Sequence, residues 1–282
     1  MSRYDGVYIF LHTTPFGGSF FERLFRMFSK KIIYDIDDLV FECRASKFNS
    51  WTAVFRKPEK YYYLMKASDH VITCTPYLDE VVRKYNPQTT DISSTINTDK
   101  YLPIKSHSNN KALIIGWSGS HSNLSYLRII EPILKDLRKK YDFKFLVIGA
   151  ESFKMEGVDV EAIPWQESTE VEDLRRMDIG VYPLPDEQWV YGKSGLKALQ
   201  YMALGIPTVA TAVGANFRVV EDQVSGFLVD SDGEWRKRLE ELLCDSELRI
   251  RIGLKARERV EKYYSIRANE PVYLNIFKNV YG

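Results

Sequence analysis

Two lysines in one short segment have a spacing that suits the binding of an anion. In the segment VYGKSGLKALQYMALGIPTV, a glycine-containing turn opens a predicted helix that ends at Gly205 and Pro207. On that helix, Lys193, Lys197 and Gln200 lie on one face. Each lysine at a helix start opposes the helix dipole at a cost of roughly 0.3–1 kcal/mol, and a bound anion turns this cost into an attraction.

The same segment predicts a diphosphate site. Backbone N–H groups at the helix start, the helix dipole and the two ammonium groups all place positive potential at one spot. Gly192 and Gly195 leave room for a bulky group to approach the backbone. The alternative is a solvated helix face that is basic by chance, with the glycines as ordinary turn residues. The spacing alone does not decide between these two interpretations.

A second candidate loop, ALIIGWSGSHSN, follows a predicted strand. It is rich in small residues, among them Gly116, Ser118, Gly119 and Ser120. Turns of this kind lie at the carboxyl edge of parallel sheets, where the ligands of open α/β sheets bind. The loop matches neither the dinucleotide fingerprint GxGxxG nor the phosphate loop GxxxxGKS/T, which counts against NAD and ATP. A tight turn with a helix cap is the structural alternative.

Three aspartates close an apolar strand in the N-terminal half. In KKIIYDIDDLVF, Asp35, Asp37 and Asp38 stand at the end of the strand, again an edge where ligands bind. Such a string also suits a divalent metal, or caps the segment that follows. His12 follows an earlier strand and is a candidate for lining the acceptor side, although a lone histidine in a loop is more often structural.

Composition excludes several classes of function. Lysine plus arginine (39) balances aspartate plus glutamate (38), so no overall charge favours nucleic acid. The three cysteines lack the spacing of a zinc site or a disulfide framework and fit a reducing compartment. No apolar run is long enough to span a bilayer, and the first residues lack the pattern of a signal peptide. The sequence therefore predicts a cytoplasmic protein.

Short β-rich runs alternate with helical patterns along the chain, which predicts an α/β fold with parallel sheets covered by helices. The predicted N-terminal strands are 7–11, 31–36, 70–74 and 91–95, with helices near 20–29, 59–67 and 76–85. The predicted C-terminal strands are 112–116, 143–148, 158–163, 179–182, 208–211 and 226–229. Helices of this half are predicted near 123–141, 170–177, 194–204, 216–222, 232–244, 246–263 and 265–280.

The polar stretch INTDKYLPIKSHSNN lacks periodicity and contains a proline, so it predicts a linker at 96–110. This linker separates a partial N-terminal, acceptor-side domain at 1–95 from a C-terminal domain at 111–264. The last segment, 265–282, is predicted to be a helix that packs back towards the N-terminal domain.

The run from Val181 to Val229 resembles the donor-binding signature of retaining GT-B glycosyltransferases, the family that includes sucrose synthase and many polysaccharide-building enzymes. The loop IIGWSGSHSN and the segment IPWQES resemble the same family, and the resemblance covers 111–264. It implies two Rossmann-like domains and a UDP- or GDP-sugar donor. It also implies transfer of a hexose-type sugar with retention, with neither a metal nor another cofactor. The implied acceptor is a bacterial cell-surface polysaccharide or lipid-linked glycan.

The resemblance also implies roles for single residues. The implied donor-binding residues are Gly116, Trp117, Ser118, Gly119, Ser120, Trp165, Lys193, Ser194, Gly195, Leu196, Lys197 and Gln200, with Trp165 near the base. The implied catalytic residues are Asp37 and Asp38 beside the reacting sugar, and Lys193 and Lys197 at the departing diphosphate. The family carries a glutamate at two positions held here by Gly192 and Gln200. Gln200 can still hydrogen-bond a ribose hydroxyl, whereas Gly192 cannot replace a carboxylate.

Members of this family have a longer N-terminal domain, so the N-terminal domain here is expected to be incomplete. A sheet that lacks its first units exposes an apolar edge. Three hypotheses about function follow. The first is an active hexosyltransferase. The second is a non-catalytic nucleotide-sugar-binding remnant or partner subunit of a split enzyme, and the third is a nucleotide-sugar epimerase.

The segment FFERLFRMFSKK, residues 20–31, alternates phenylalanines with basic residues. This pattern suits peripheral docking onto anionic lipid at the inner face of the cytoplasmic membrane. The alternative is a helix that faces the core and carries a basic outer face.

Overall fold

The computed structural model describes residues 4–14, 17–41, 57–103 and 112–282. The chain divides into two compact units. Unit 1 comprises Met1–Thr95, Glu187–Ser194 and Asn269–Gly282, and unit 2 comprises Ile96–Asp186 and Gly195–Ala268. Residues 187–194 thus belong to unit 1, although they were expected in the C-terminal domain.

Unit 1 contains a four-stranded parallel sheet in the order β1-β2-β3-β4. Its strands are β1 (Val7–Phe10), β2 (Ile32–Ile36), β3 (His70–Thr73) and β4 (Thr89–Asp91). Its helices include α1 (Phe20–Phe28), α2 (Glu59–Ala67) and α3 (Pro76–Arg83). The fourth strand was predicted two residues too late, at 91–95. Its partner β3 ends at Thr73, which pairs with Asp91, so the ladder ends there.

The two faces of β2 pack into different cores, because successive side chains of a strand point to opposite sides. Ile32, Tyr34 and Ile36 join one cluster, together with apolar residues of α2 and α3. Ile33 on the other face packs with Ile276 of the C-terminal helix. The sheet of unit 1 therefore has apolar contacts on both sides.

Unit 2 contains a six-stranded parallel sheet in the order β10-β9-β8-β5-β6-β7. Its strands are β5 (Leu113–Ser118), β6 (Phe143–Ile148), β7 (Val160–Ile163), β8 (Ile179–Tyr182), β9 (Thr208–Thr211) and β10 (Phe227–Val229). The chain moves outward from β5 to β7, returns to pair β8 with β5, and then moves the other way. The switch point between β5 and β8 is where ligands of open α/β sheets bind. Both sheets confirm the predicted α/β class.

The helices of unit 2 begin with a 3₁₀ helix, His121–Ile129. The α-helices are α4 (Glu131–Arg138), α5 (Glu170–Leu174), α6 (Leu196–Ala203), α7 (Asn216–Val219), α8 (Asp232–Cys244) and α9 (Ser246–Tyr263). Helix α10 (Ile266–Tyr281) follows, and its larger part belongs to unit 1. The single helix predicted at 123–141 is divided in two, because Pro132 in the first turn of α4 lacks an N–H and favours a helix start. None of the helices in the described ranges has the length and apolar character needed to cross a bilayer.

Arg257 on α9 joins three segments of unit 2 through its guanidinium group. It donates to the carbonyl oxygens of Ala203 at 2.6 Å and Thr98 at 2.9 Å, and also to that of Tyr101. The Arg257→Ala variant is expected to lower the free energy of unfolding of unit 2 by about 2–4 kcal/mol, since three buried carbonyls would lose a charged donor. Urea unfolding of purified protein measures this loss.

The matched control is Arg251→Ala, because Arg251 is an exposed arginine on the same helix. This variant is expected to change the unfolding free energy by less than about 0.5 kcal/mol. Equal losses in the two variants would show that Arg257 does not hold these segments together.

Candidate functional site

Helix α6 begins later than the sequence predicted, because Gly195 has a left-handed backbone conformation with φ of 77°. Lys193 precedes this turn and has an extended backbone. The prediction that Lys193, Lys197 and Gln200 share one helix face is therefore wrong for Lys193. Only Lys197 lies in the first turn of α6, and Lys193 belongs to unit 1.

In unit 2, five side chains form a connected polar group, here called the Glu170 cluster: Tyr101, Trp165, Glu170, Lys197 and Gln200. Glu170 Oε1 accepts from Trp165 Nε1 at 3.0 Å and from Gln200 Nε2 at 3.1 Å. Glu170 Oε2 accepts from the Tyr101 hydroxyl at 2.7 Å. Lys197 Nζ donates to Gln200 Oε1 at 3.0 Å and lies 3.9 Å from Glu170 Oε1. The cluster thus connects α5, α6 and the segment that ends at Pro103.

The Glu170 cluster is largely buried. Glu170 is 8%, Tyr101 7% and Gln200 5% exposed, whereas Trp165 is 49% exposed and the Lys197 side chain 26%. Lys197 and Gln200 therefore do not form a fully solvated face. Within the cluster, solvent reaches mainly the side chains of Trp165 and Lys197.

Burial and charge shape the two ionisable ends of the cluster. Burial lowers the pKa of Lys197, and the nearby charge of Glu170 opposes this effect. Burial also acts to raise the pKa of Glu170, but hydrogen bonds from Tyr101, Trp165 and Gln200 outweigh it, so the pKa lies below its ordinary value. Glu170 is therefore a stable carboxylate, and it partly neutralises the lysine beside it.

Glycines bring the ends of three strands of unit 2 together. Gly149, just after β6, has φ of 100°, and a Cβ there would lie 2.2 Å from the carbonyl oxygen of Gly119. The same point lies 3.6 Å from Cβ of Trp165, which follows β7. Gly119 follows β5 at the switch point. Gly149 therefore packs directly against Gly119 of the predicted loop, a contact that was not predicted from the sequence.

Strand β5 extends two residues beyond its predicted end, which corrects part of the predicted phosphate loop. Gly116, Trp117 and Ser118 lie inside the strand and are buried. The Trp117 side chain packs in the main hydrophobic core of unit 2, and the Ser118 N–H donates to the Tyr201 hydroxyl at 2.8 Å. A Cβ on Gly116 would collide with Met177. Only Gly119 and Ser120 remain at the strand end, where a phosphate can approach.

In unit 1, the predicted catalytic residue Asp38 forms an ion pair with Lys193. The distance from Lys193 Nζ to Asp38 Oδ2 is 2.5 Å, and the ammonium lies 5.6 Å from the ring centre of Trp189. Asp38 has a positive φ of 67°, in the turn that follows β2. Two of the four predicted catalytic residues, Asp38 and Lys193, are therefore in direct contact with each other.

Gly192 packs against this turn and leaves no room for a side chain. A Cβ on Gly192 would lie 2.5 Å from Leu39 Cγ and 3.0 Å from Asp38 Oδ1. The Gly192 carbonyl oxygen also accepts from Cys74 Sγ at 3.8 Å. The glutamate that the family pattern has at this position would collide with the turn, and the Asp38 carboxylate occupies the adjacent space.

The remaining predicted residues have mixed environments. The His12 ring lies edge-on to Tyr61, with 6.2 Å between ring centres. Asp37 is half-buried and raises the pKa of its neighbour Asp35. Ser194 bonds to the Ser94 hydroxyl at 2.5 Å within unit 1. Leu196 opens α6 and is 41% exposed.

Asp35 on β2 predicts a pH dependence of stability. Burial raises its pKa to about 6; the hydrogen bond from the Tyr8 hydroxyl lowers it, and the charge of Asp37 raises it further. Because the folded-state pKa is raised above the ordinary value of an aspartate, the unfolded state loses its proton first as the pH increases. Stability of unit 1 is expected to fall by on the order of 2–3 kcal/mol between about pH 4 and pH 6 and to stay lower above that range.

The Asp35→Asn variant should remove this decline, and Tyr8→Phe should steepen it because it removes a bond that favours the charged form. Amide hydrogen exchange of β2 and β3, measured from pH 4 to pH 8, reports the stability of unit 1. An unchanged decline in Asp35→Asn would assign the pH dependence to another group.

Within the described ranges, no three His, Cys, Asp or Glu side chains are grouped closely enough to hold a metal ion. The aspartates after β2 therefore do not form such a group with other described residues. The expectation that no metal is required stays a prediction.

Residues 112–245 match the family model of Glycosyl transferases group 1. A stretch of 65 residues is 46% identical to a D-inositol 3-phosphate glycosyltransferase of Salinispora arenicola, and it covers 22% of this chain and 14% of that protein. The chain thus spans a small part of this curated relative. The matched residues 112–245 contain Trp165, Glu170, Lys197 and Gln200 of the Glu170 cluster.

Solved structures share the fold. Sucrose-phosphate synthase of Thermosynechococcus elongatus superposes with a TM-score of 0.66 at 18% identity, over 92% of this chain and 71% of that one. HepE of Anabaena, in complex with UDP and glucose, has a TM-score of 0.66 at 14% identity, over 87% of this chain and 71% of that one. The fold is therefore GT-B, as predicted.

Two members of the Glu170 cluster were absent from the sequence prediction. Glu170 stands in an acidic helix start with Glu172 and Asp173, a pattern that usually serves the helix dipole. Tyr101 lies in the stretch predicted as a linker. The one related signal in the sequence is that Gln200 stands where the family pattern has a glutamate.

Proposed function

We propose that this chain is a glycosyltransferase that moves a hexose-type sugar from a UDP- or GDP-sugar to a cell-surface polysaccharide or lipid-linked glycan, with retention of configuration. One observation carries the proposal. Lys197, partly exposed and fixed by Gln200, stands in the first turn of α6 in a domain of the glycosyl transferases group 1 type. A fixed ammonium at a helix start suits a diphosphate.

Sugar transfer requires that negative charge on the departing nucleoside diphosphate be stabilised as the bond to the sugar breaks. A cation that is already in place does this without reorganisation in the transition state. Lys197 has this character, because Gln200 Oε1 holds its ammonium at 3.0 Å. The family resemblance implies retention of configuration at the anomeric carbon without a carboxylate nucleophile. We therefore assign no protein nucleophile.

Asp37 and Asp38 are proposed to lie beside the reacting sugar and acceptor. Lys193 would hold the Asp38 carboxylate in one orientation through their 2.5 Å ion pair. His12 is proposed for the acceptor side. These roles rest on the family resemblance. The ion pair of Asp38 with Lys193 in unit 1 is additional support.

The names of the matching proteins support a nucleotide-sugar donor. One relative is a glycosyltransferase, and HepE was solved with UDP and glucose. These names describe those proteins, and the choice between UDP and GDP for this chain is left to experiment.

Calorimetric titration of the purified chain with UDP and with GDP tests donor binding. Micromolar to millimolar affinity for one of them is expected, followed by transfer of labelled sugar from its UDP- or GDP-sugar to a membrane lipid extract. Failure to bind either nucleotide would overturn the proposal. Binding without transfer or donor hydrolysis would support the non-catalytic alternative, and isomerised donor without acceptor would support the epimerase.

Peripheral contact with anionic membrane through residues 20–31 is a further part of the proposal. Phe20, Met27 and Phe28 on or beside α1 are 65%, 67% and 59% exposed. Phe25, in contrast, packs on the core of unit 1. The helix thus shows apolar side chains to solvent next to basic ones, which suits a lipid interface.

Sedimentation with vesicles that contain 30% phosphatidylglycerol tests this contact. Phe20→Ser combined with Phe28→Ser is expected to reduce bound protein roughly tenfold, since two exposed rings would no longer enter the interface. The control is Phe217→Ser, because Phe217 is 62% exposed in unit 2. Equal binding of both variants would remove the membrane role of this segment.

A further inference from the structure

The hydrogen bonds of Gln200 allow only one orientation of its amide. Its Nε2 donates to the Tyr101 hydroxyl at 2.8 Å and to Glu170 Oε1 at 3.1 Å. Its Oε1 accepts from Lys197 Nζ at 3.0 Å. An ammonium group can only donate and a carboxylate only accept, so the amide oxygen must face the lysine. Gln200 is therefore a specific link between a cation and an anion.

The Glu170 carboxylate is where the donors of the cluster converge. Trp165, Tyr101 and Gln200 all donate to it, and Lys197 lies 3.9 Å away. With 8% exposure it is nearly removed from water. A buried carboxylate with three donors is strongly held in its charged form.

A second carboxylate at residue 200 would conflict with this arrangement. An oxygen in place of Gln200 Nε2 would lie near 3.1 Å from Glu170 Oε1 with no hydrogen between the two. Two carboxylates so close in a buried site cannot both be charged, and one must take up a proton. A neutral side chain at residue 200 is therefore compatible with the charged Glu170, whereas a second charged carboxylate is not.

We propose that Glu170 supplies the carboxylate that the family pattern places at residue 200, and that it positions Gln200 and Lys197 for a nucleoside diphosphate. The inference rests on the proposed function and deepens it. In this proposal residue 200 is neutral, and the carboxylate stands instead at Glu170, the first residue of helix α5. Glu170 acts through its neighbours and is a positioning residue of the donor site.

An exchange of the two side chains tests the inference. UDP and GDP affinities are measured by calorimetry at pH 8 for the wild type, Gln200→Glu, Glu170→Gln and the double variant. Each single variant is expected to bind roughly tenfold more weakly, because one carries two carboxylates and the other none. In the double variant, Glu at residue 200 can accept from Lys197 and Tyr101, and the amide oxygen at residue 170 can accept from Trp165. That amide oxygen is uncharged, so it repels the carboxylate of residue 200 less than Glu170 does in Gln200→Glu. We expect the affinity of the double variant to exceed that of either single variant by at least about threefold.

A pH series separates this role from simple loss of packing. Binding by Gln200→Glu, relative to the wild type, is expected to recover as the pH falls from 8 to 6, because a shared proton relieves the repulsion. The double variant should show a smaller recovery, because its residue 170 carries no charge. The control Glu172→Gln, an exposed carboxylate on the same helix, should bind like the wild type.

Each outcome has a distinct meaning. If the wild type binds neither UDP nor GDP, the proposed function fails. If it binds and Gln200→Glu binds equally well at pH 8, or the double variant is as weak as the singles, only the inference is overturned. Should a single variant fail to fold, the double variant must recover both folding and binding, and failure to do so contradicts the inference.

Discussion

Replacing Lys197 with methionine is expected to weaken the binding of UDP or GDP by roughly 10- to 100-fold, or about 1.4–2.8 kcal/mol. The side chain is three-quarters buried and held by Gln200, so its ammonium meets a diphosphate with little loss of freedom. A charge-assisted hydrogen bond to phosphate is among the stronger contacts that a side chain makes. Methionine keeps the apolar stem and removes the ammonium group, with its charge and its N–H donors.

The matched control is Lys255→Met, because Lys255 is an exposed lysine of unit 2 whose partner is Glu258. Its nucleotide affinity should equal that of the wild type. Calorimetry gives both affinities, and thermal unfolding confirms that both variants are folded. Unaltered affinity in Lys197→Met would remove this lysine from the donor site.

The same lysine predicts how binding depends on pH. Burial lowers its pKa, so it loses its proton at a lower pH than an ordinary lysine. Because only the ammonium form attracts a diphosphate, affinity is expected to fall as the pH rises through this lowered value. The Lys197→Met variant should lack that step, which titrations at alkaline pH would show.

The α/β class and most strands were predictable, because buried strands form continuous apolar runs. Strand β6 (Phe143–Ile148) lies where the sequence placed it, with five of its six residues buried. Such a segment carries its own signal in the side chains, independent of its neighbours. Local composition was therefore sufficient for the sheets.

The start of helix α6 was not predictable to the residue, because it depends on one backbone angle. Gly195 has a left-handed backbone conformation. Glycine adopts this conformation readily, but a glycine in the sequence does not by itself predict it. The spacing of the lysines predicted a helix from about Ser194, with Lys193 on the same face as Lys197. The turn at Gly195 instead places Lys193 away from that face. A two-residue error at a helix start thus changed which side chains act together.

The centre of the candidate site was only half predictable for a different reason. Lys197 and Gln200 lie within one turn of a helix, so their spacing revealed them. Glu170 lies 30 positions from Gln200 along the chain and Tyr101 lies 99 positions away. Such contacts follow from the packing of helices on the sheet, and no periodicity records them.

Introducing a glutamate at Gly192 is expected to destabilise unit 1 by about 2–4 kcal/mol, even though it restores the family pattern. A Cβ there would lie 2.5 Å from Leu39 Cγ and 2.8 Å from the Leu39 backbone nitrogen. A backbone atom cannot move aside as a flexible side chain can. The new carboxylate would also stand beside that of Asp38, and like charges in a partly buried turn repel each other.

The matched control is Gly233→Glu in the first turn of α8. A Cβ on Gly233 meets no atom within 4 Å, and a glutamate there suits the helix dipole. It should leave stability unchanged or raise it slightly. Hydrogen exchange of β2 and β3 measures unit 1 for the Gly192 variant, and urea unfolding measures unit 2 for the control.

Sugar transfer by Gly192→Glu distinguishes two interpretations of the departure at this position. If the glycine reflected decay of an active site, a restored glutamate would speed transfer from a UDP- or GDP-sugar. In the proposed function Asp38 instead supplies the carboxylate, since a Cβ on residue 192 would lie 3.0 Å from Asp38 Oδ1. Transfer should therefore fall in Gly192→Glu, and Asp38→Asn should also lower it while leaving nucleotide affinity unchanged. Faster transfer by a stably folded Gly192→Glu would show that the carboxylate was lost and not replaced.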